Sequence, residues 1–399
     1  MLLSRPGAPA DPRFRVLWFG QAVSYLGSAV FPVALTLAMV RDAGSAGRLG
    51  LVLAAGALSE GLLLLVGGVL ADRLPRHRIM SGADTVRCVG HLFLGAALLR
   101  PGTPLAALLV VSAVVGAAGG FFRPASTGLI ANSVGPADLQ RANAVMSVTR
   151  RTAMLAGPAL ATALALTVGA GWAMILDGLT FAVSAVTLTR LRIPSTPVPR
   201  TPFLRDLREG WQEVRGRQWL WSNLLVHGMW NLARTAYFTA GATLVITRLG
   251  GELSWGVVTQ GATVGAFAGA VLSLRIRPRR PLVVSNLCLA VGGAALVLVA
   301  AEAPVWLIAV AAAVMNLGLG LMSTLWDTTV QREVPDEKLA RVASFDWLLS
   351  TALSPLGMAL AGPLTAAVGA RSTLWGAAAL MVVPSLGVLA LREVRRPCT

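Results

Sequence analysis

Apolar runs of twenty or more residues recur from one end of this 399-residue chain to the other. No other feature limits the fold as much. A helix needs about 20 apolar residues to cross the hydrocarbon core of a bilayer, and helices and closed barrels are the structures that satisfy their backbone groups there. Breaking the runs at charges, prolines and glycine turns predicts twelve helical spans, at 14–40, 49–71, 79–99, 104–132, 139–168, 171–191, 219–247, 254–275, 281–300, 304–331, 339–368 and 372–391. Several exceed the minimum length, which implies tilt or extension into the cytoplasm. The expected class is an all-α membrane protein.

Hydrophobic residues make up 55% of the chain and charged residues 13%, a balance that excludes an ordinary soluble domain. The net charge of +16 would suit nucleic acid if it formed one stripe, but the basic residues fall in short clusters between apolar spans. That distribution signals topology, and no nucleic-acid partner is expected. With the N-terminus in the cytoplasm, 24 of the 34 basic residues lie inside, including Arg73, Arg76, Arg78, the block from Arg190 to Arg217, and the cluster from Arg275 to Arg280. Five lie outside (Arg41, Arg48, Arg100, Arg248 and Arg371), and Arg87, Arg123, Arg150, Arg151 and Arg234 fall within spans. Both termini are therefore expected in the cytoplasm, and Trp172, Trp219, Trp221, Trp255, Trp306 and Trp375 suit interfacial anchors. Met1 to Arg15 is polar and contains prolines, so no cleaved signal peptide is expected. The three cysteines, Cys88, Cys288 and Cys398, are too scattered to suggest a disulfide framework or a metal site.

Between the second and third spans stands Gly67-Gly-Val-Leu-Ala-Asp72-Arg73-Leu-Pro75-Arg76-His77-Arg78. Small residues let helix backbones approach closely in lipid, so Gly67 and Gly68 predict a tight crossing. Asp72 is placed to meet a helix N-terminus or a guanidinium, while the arginines suit the cytoplasmic face. The stretch resembles the signature loop of the major facilitator superfamily, G-x-L-A-D-R-x-G-R-R. Gly68, Leu70, Ala71, Asp72, Arg73, Arg76 and Arg78 fit that pattern; Pro75 replaces the usual glycine, and His77 stands where a second basic residue is common.

The longest polar segment, Pro194 to Gln218, begins proline-rich and becomes amphipathic, with Phe203, Leu204, Leu207, Trp211 and Val214 among Arg205, Arg208 and Arg215. It reads as a linker carrying a helix on the membrane surface. A repeat supports that division: Pro136-Ala-Asp-Leu139-Gln-Arg141, then Gly157-Pro158, returns as Pro335-Asp-Glu-Lys-Leu339-Ala-Arg341, then Gly362-Pro363. The expected organisation is an N-terminal six-helix bundle at 1–192, a linker at 193–218 and a C-terminal six-helix bundle at 219–399, the pseudo-symmetric pair that the major facilitator fold requires. The second half's counterpart of the loop, Arg275-Ile-Arg-Pro-Arg-Arg280, keeps the arginines without the aspartate. Asp72-Arg73, Asp84, Arg87, Phe121-Phe122-Arg-Pro124-Ala125, Leu139, Ala142-Asn143-Ala144, Gly157-Pro158, Arg341-Val342-Ala-Ser344 and Pro355-Leu-Gly357 together resemble the drug and proton antiporter branch that holds macrolide efflux proteins and the enterobactin exporter.

Ionisable groups inside a span cost about 2.5–3.5 kcal/mol on insertion scales, so each asks for a function or a partner. Glu60 lies twelve residues before Asp72, roughly 18 Å along the helix at 1.5 Å per residue, and near the midplane it could carry a proton or stand paired with Arg234. Asp84 and Arg87 share a face at i, i+3; they read as a gate lock with Arg73, Arg76 or Arg123, with Asp84 a second candidate for proton coupling. Asp327 and Asp346, near cytoplasmic span ends, are expected as gate partners of the basic loops, and Arg150 or Arg151 as an interfacial anchor. Arg234, with Trp230 and Asn231 beside it, faces either the cavity or a carboxylate. The resemblance puts the cavity wall at Gln21, Ser24, Tyr25, Gln260, Met315 and Asn316. His91 and His227 read as core histidines satisfied by their surroundings.

The chain has no phosphate-cradling Gly-x-x-x-x-Gly-Lys-Ser/Thr loop, no metal spacing and no convincing serine nucleophile elbow. It is expected to be no enzyme and to need no cofactor. The resemblance implies a monomeric, multi-pass transporter in the cytoplasmic membrane, exporting an amphipathic small molecule such as a drug, natural product or siderophore by proton antiport and alternating access. Its partners would be that molecule, protons and membrane lipid. An importing symporter or uniporter, and a non-transporting sensor of the same fold, are the other readings.

Overall fold

The computed structural model describes residues 11–41, 46–99, 104–191, 202–351 and 353–396. The proline-rich start of the expected linker, together with Arg5, Arg100, Arg192, Arg200 and Cys398, lies outside the described residues. Among the described residues every regular element is helical and no strand occurs. In chain order the helices are α1 (Pro12–Arg41), α2 (Ala46–Arg73), α3 (Arg76–Leu98), α4 (Leu105–Asn132), α5 (Leu139–Thr167), α6 (Ala170–Thr189), α7 (Phe203–Gly216), α8 (Gln218–Ala236) and α9 (Ala242–Arg248). They continue as α10 (Gly251–Leu272), α11 (Pro281–Val291), α12 (Gly293–Ala300), α13 (Val305–Glu333), α14 (Asp336–Thr351), α15 (Leu353–Val368), α16 (Ala370–Gly387) and the short α17 (Arg392–Arg395).

Among the described residues, eight helical stretches are long and apolar enough to cross a membrane: Pro12–Leu35, Leu51–Arg73, Leu105–Asn132, Ala170–Thr189, Leu253–Leu272, Pro281–Ala300, Val305–Glu333 and Ala370–Ala390. The other four expected spans map onto helices that are charged or divided. The third carries Asp84 and Arg87, and the fifth Arg141, Arg150 and Arg151. The seventh is interrupted by a π-helical turn at Tyr237–Gly241, and the eleventh carries Arg341 and Asp346, with residue 352 between α14 and α15 outside the described residues. Charge or interruption, rather than loss of helix, separates the third, fifth and seventh from the eight.

The chain divides into two compact units, Met1–Gly210 with Gln331–Ser344, and Trp211–Val330 with Phe345–Thr399. In the first, α2 packs along α4, α3 packs on α6 and α4, and α1 packs on α5 and α6. All six contribute to one buried cluster of Val30, Ala34, Leu35, Val52, Leu94, Leu108, Ala161, Ala173 and Met174. The α2–α4 contact depends on glycine: a Cβ on Gly116 would fall against the Gly56 carbonyl, and one on Gly67 against the Gly120 carbonyl and Phe121 Cα. In the second unit, α8 packs on α15 and α16, and α16 also packs on α11 and α12. There α10 meets α13 in the same way, with Gly261, Gly265 and Gly269 against the backbone of Ala309, Ala313 and Leu317.

The repeated sequence has repeated geometry. Pro136 opens a 3₁₀ turn that leads into α5, and Pro335 immediately precedes α14. Gly169 and Gly369, each before the alanine that starts α6 or α16, have φ values of +95° and +84°, the left-handed region that glycine enters without a Cβ penalty.

Backbone contact at Gly116 predicts a controlled comparison. Gly116→Val should destabilise the protein by about 1–3 kcal/mol, the usual range for overpacking. Gly61→Ala on α2, where an added Cβ meets nothing within 4 Å, should be neutral or stabilising. Thermal unfolding in detergent measures both.

Candidate functional site

Two polar clusters lie within the first unit. The first is built where α2 ends. Leu74 N still donates to Leu70 O at 2.9 Å, and Pro75, with φ −55°, caps the start of α3. That φ lies inside the range a proline ring enforces, which is why Pro75 serves where the family pattern has glycine. His77 follows in the first turn; burial and the neighbouring Arg78 guanidinium hold its imidazole below the usual histidine range, so it adds no second positive charge near neutral pH.

Asp72 has 1% of its side chain exposed and Arg341 4%. The carboxylate accepts from Arg341 Nε at 2.9 Å and from the backbone N–H groups of Ala340 and Arg341 at 3.1 and 3.2 Å. Arg341 also donates to Glu337 O at 2.9 Å and lies 3.3 Å from Asp206 and 3.5 Å from Glu209. Arg73 is ion-paired with Asp206 on α7. Arg76 donates to Asp336 Oδ1 at 2.7 Å and to its carbonyl at 2.6 Å, bonds Asn132, and stands 3.5 Å from Asp72. Asn132 Nδ2 donates to Asp336 Oδ2 at 3.2 Å. Gln331 closes the far side, donating to Thr127 O at 2.9 Å and accepting from Asn143.

Glycines make this approach possible. A Cβ on Gly68 would strike Ser344 and the Ala340 carbonyl, and one on Gly128 would strike the Arg76 guanidinium. The loop of the first half, the linker helix and the 331–344 stretch are thus tied by alternating charges: Arg73, Arg76 and Arg341 against Asp72, Asp206, Glu209 and Asp336. A buried ion pair holds only while complete, since removing one partner leaves an uncompensated charge and costs about 3–5 kcal/mol.

The second cluster crosses the middle of the helices. Glu60 on α2 is ion-paired with Arg123 on α4. Asp84, with no exposed side-chain area, lies 3.4 Å from Arg87 one turn along α3 and has Ser184 of α6 within hydrogen-bonding reach. Gln21 of α1 donates to the same Ser184 at 3.1 Å, so three helices share one polar contact. The Arg87 guanidinium stacks 4.5 Å over Phe122 and 5.5 Å over Phe181. One turn beyond it, His91 Nδ1 lies 2.6 Å from Asp177 Oδ2 on α6.

The remaining predicted residues are placed as follows. Glu60 meets Arg123 of its own unit, where pairing with Arg234 was the alternative to a proton-carrying role. Asp346, expected at the gate, accepts from Trp326 Nε1 at 2.7 Å and Ser350 Oγ at 3.0 Å within the second unit. Asp327 is exposed on α13. Among the cavity candidates, Gln21 is buried, Trp230 Nε1 donates to Leu289 O at 3.1 Å, Asn231 bridges the carbonyls of His227 and Ser350, and Asn316 bonds Ala312 O on its own helix. Tyr25 is half-buried on α1, and Arg234 is half-buried with its guanidinium 5.4 Å over Phe238. Arg341, Asp206, Asp336 and Asp177 received no role from the sequence. Asp177 interrupts an apolar run in the sixth span, and the rule that singled out Glu60 would have found it.

Comparison with known proteins places this geometry. The Major Facilitator Superfamily matches residues 17–355, and the chain belongs to that family. A multidrug efflux pump, Tap, of Mycobacterium tuberculosis is 28% identical, covering 96% of this chain and 94% of its own. The enterobactin exporter EntS of Citrobacter koseri is 27% identical, covering 96% and 93%. In fold the chain is similar to a bacterial homologue of the iron transporter ferroportin, with TM-score 0.77 and 16% identity over 95% of this chain and 98% of that one. It is also similar to the Escherichia coli fucose:proton symporter, with TM-score 0.72 and 13% identity over 94% and 98%. The chain is therefore an integral membrane transport protein for small molecules rather than an enzyme.

If Asp72 and Arg341 act as one unit, their substitutions will not add. In a cycle of Asp72→Asn, Arg341→Gln and the double variant, thermal unfolding should show a coupling of about 1–3 kcal/mol, as contacting buried groups give.

Proposed function

We propose that the chain exports an amphipathic small molecule, a drug, natural product or siderophore, across the cytoplasmic membrane in exchange for protons. Export is supported by two relatives whose names describe efflux and whose likeness runs along 96% of the chain. The observation that carries proton coupling is the cluster of three carboxylates, Glu60, Asp84 and Asp177, inside the helices of one unit. Carboxylates at that depth are costly unless they serve the transport cycle or are neutralised, and Glu60 and Asp84 are the groups expected from sequence to take part.

The working cycle is alternating access by a monomer with both termini in the cytoplasm. Two six-helix bundles, 1–192 and 219–399 joined by the linker at 193–218, rock about a site near the midplane, with Tyr25, Asn231 and Arg234 among the cavity residues. The Asp72–Arg341 contact, held by Arg73 and Arg76, is the cytoplasmic gate, which forms and breaks once per turnover. Asp327 and Asp346 serve as further gate groups.

Everted vesicles containing the overproduced protein test this directly. Adding ethidium, a lipophilic cation, should release protons from acidified vesicles, and vesicles lacking the protein should show no such release. Asp72→Ala should lower the maximal rate about tenfold or more while leaving ethidium affinity within about threefold, because the gate stabilises a conformation rather than the substrate. Equal loss of rate and affinity would assign Asp72 to binding instead.

A further inference from the structure

We propose that the cavity between the start of α3 and the end of α6 binds the head group of a phospholipid with net negative charge, of the phosphatidylglycerol type. The cavity has a volume of about 470 Å³ and is lined by His77, Arg78, Ser81, Thr189 and Leu191, within the range of about 300–1,000 Å³ that small-ligand sites occupy. Two apolar spans end beside it, one at Arg73 and one at Thr189. The cavity therefore lies where the hydrocarbon core gives way to lipid head groups.

Charge decides what can enter. Arg78 lines the cavity and Arg190 follows its Thr189; both are exposed, and neither makes an ion pair among the described residues. The neighbouring arginines of the loop are already engaged, Arg73 with Asp206 and Arg76 with Asp336. Arg78 is left with a planar fork of N–H donors, which matches phosphate oxygens. The lining contains no aspartate or glutamate, so the ammonium of a zwitterionic head group would meet only positive charge. His77, held below the usual histidine range by burial and by Arg78, adds a neutral ring near neutral pH. The two hydroxyls face the ligand as acceptors: Ser81 Oγ donates to Ala185 O at 3.2 Å and Thr189 Oγ1 to Val186 O at 2.8 Å. Their remaining lone pairs suit the hydroxyl donors of a glycerol head.

The apolar surroundings favour a lipid over free phosphate. On α3, Arg78 heads a stripe that continues through Val86, Val89 and Phe93, all exposed; at 3.6 residues per turn these positions share one face. On α6, exposed Leu179, Val183 and Val186 lead in the same way to Arg190. The two helices pack together, tied at the cavity by the bond from Ser81 to Ala185. Each helix thus offers a cation at the head-group level and an apolar face for acyl chains, the division of a phospholipid itself.

Native mass spectrometry of the purified full chain in detergent, titrated with phosphatidylglycerol, phosphatidylethanolamine or phosphatidylcholine, tests the site. Phosphatidylglycerol should bind at least about tenfold more tightly than either zwitterionic lipid. An arginine near an anionic lipid contributes a factor of about five, so Arg78→Gln with Arg190→Gln should weaken phosphatidylglycerol about tenfold or more. Arg277→Gln, an exposed arginine of the second unit, should leave its Kd within about twofold. Equal binding of the three lipids, a double variant within about threefold of wild type, or an equal loss in Arg277→Gln overturns the proposal. Inorganic phosphate and glycerophosphoglycerol, each at the lipid's concentration, should not displace the lipid; displacement by either assigns the cavity to a soluble phosphate and overturns the lipid. Should the double variant not fold, Arg78→Gln alone should weaken phosphatidylglycerol about fivefold, and an unchanged Kd there overturns the proposal.

Discussion

The buried contact between Asp72 and Arg341 is the constraint on which the first unit depends. Both charges are out of solvent, so each is tolerable only because the other is present. The neighbouring groups follow from that requirement. Two backbone N–H groups complete the coordination of Asp72, Asp206 and Glu209 share Arg341, and glycine at 68 leaves room for Ser344 and Ala340 to approach. A contact that is strong when assembled and costly when half-assembled favours two discrete states over a continuum, which is the property a gate needs.

Deeper in the unit, the same physics gives a different outcome. Glu60 with Arg123 and Asp84 with Arg87 are carboxylate–guanidinium pairs, whereas His91 with Asp177 sets an imidazole against a carboxylate. The aromatic rings of Phe122 and Phe181, against which Arg87 stacks, hold the guanidinium beside Asp84.

Much of this was legible in the sequence, and the exceptions have identifiable causes. Apolar length gave the helices, because crossing a bilayer demands it, and the pattern from Gly68 to Arg78 marked the loop that carries Asp72, Arg73 and Arg76. The repeat around Pro136 and Pro335 pointed to equivalent helix starts. Partner identity was not legible: Asp72 and Arg341 are separated by 268 intervening residues, and nothing local says that one will cap the other. Glu60 meeting Arg123 rather than Arg234 has the same origin, since helix order in sequence does not specify which faces meet. Asp206 looked like one charge among many on an amphipathic linker helix, yet it is buried against Arg73 and Arg341. Asp177 was a different kind of omission, a lone acid in an apolar run hidden by the strength of the span around it.

Spin labels at Leu74 and Glu337, both exposed on either side of the Asp72–Arg341 contact, test most directly whether that contact is a gate. With the native cysteines replaced by serine, the distance between the labels should show one short population in the resting protein. A second, longer population should grow when ethidium is added and become dominant in Arg341→Gln. A single short distance under all these conditions would contradict the account, because the contact would then be a permanent part of the fold.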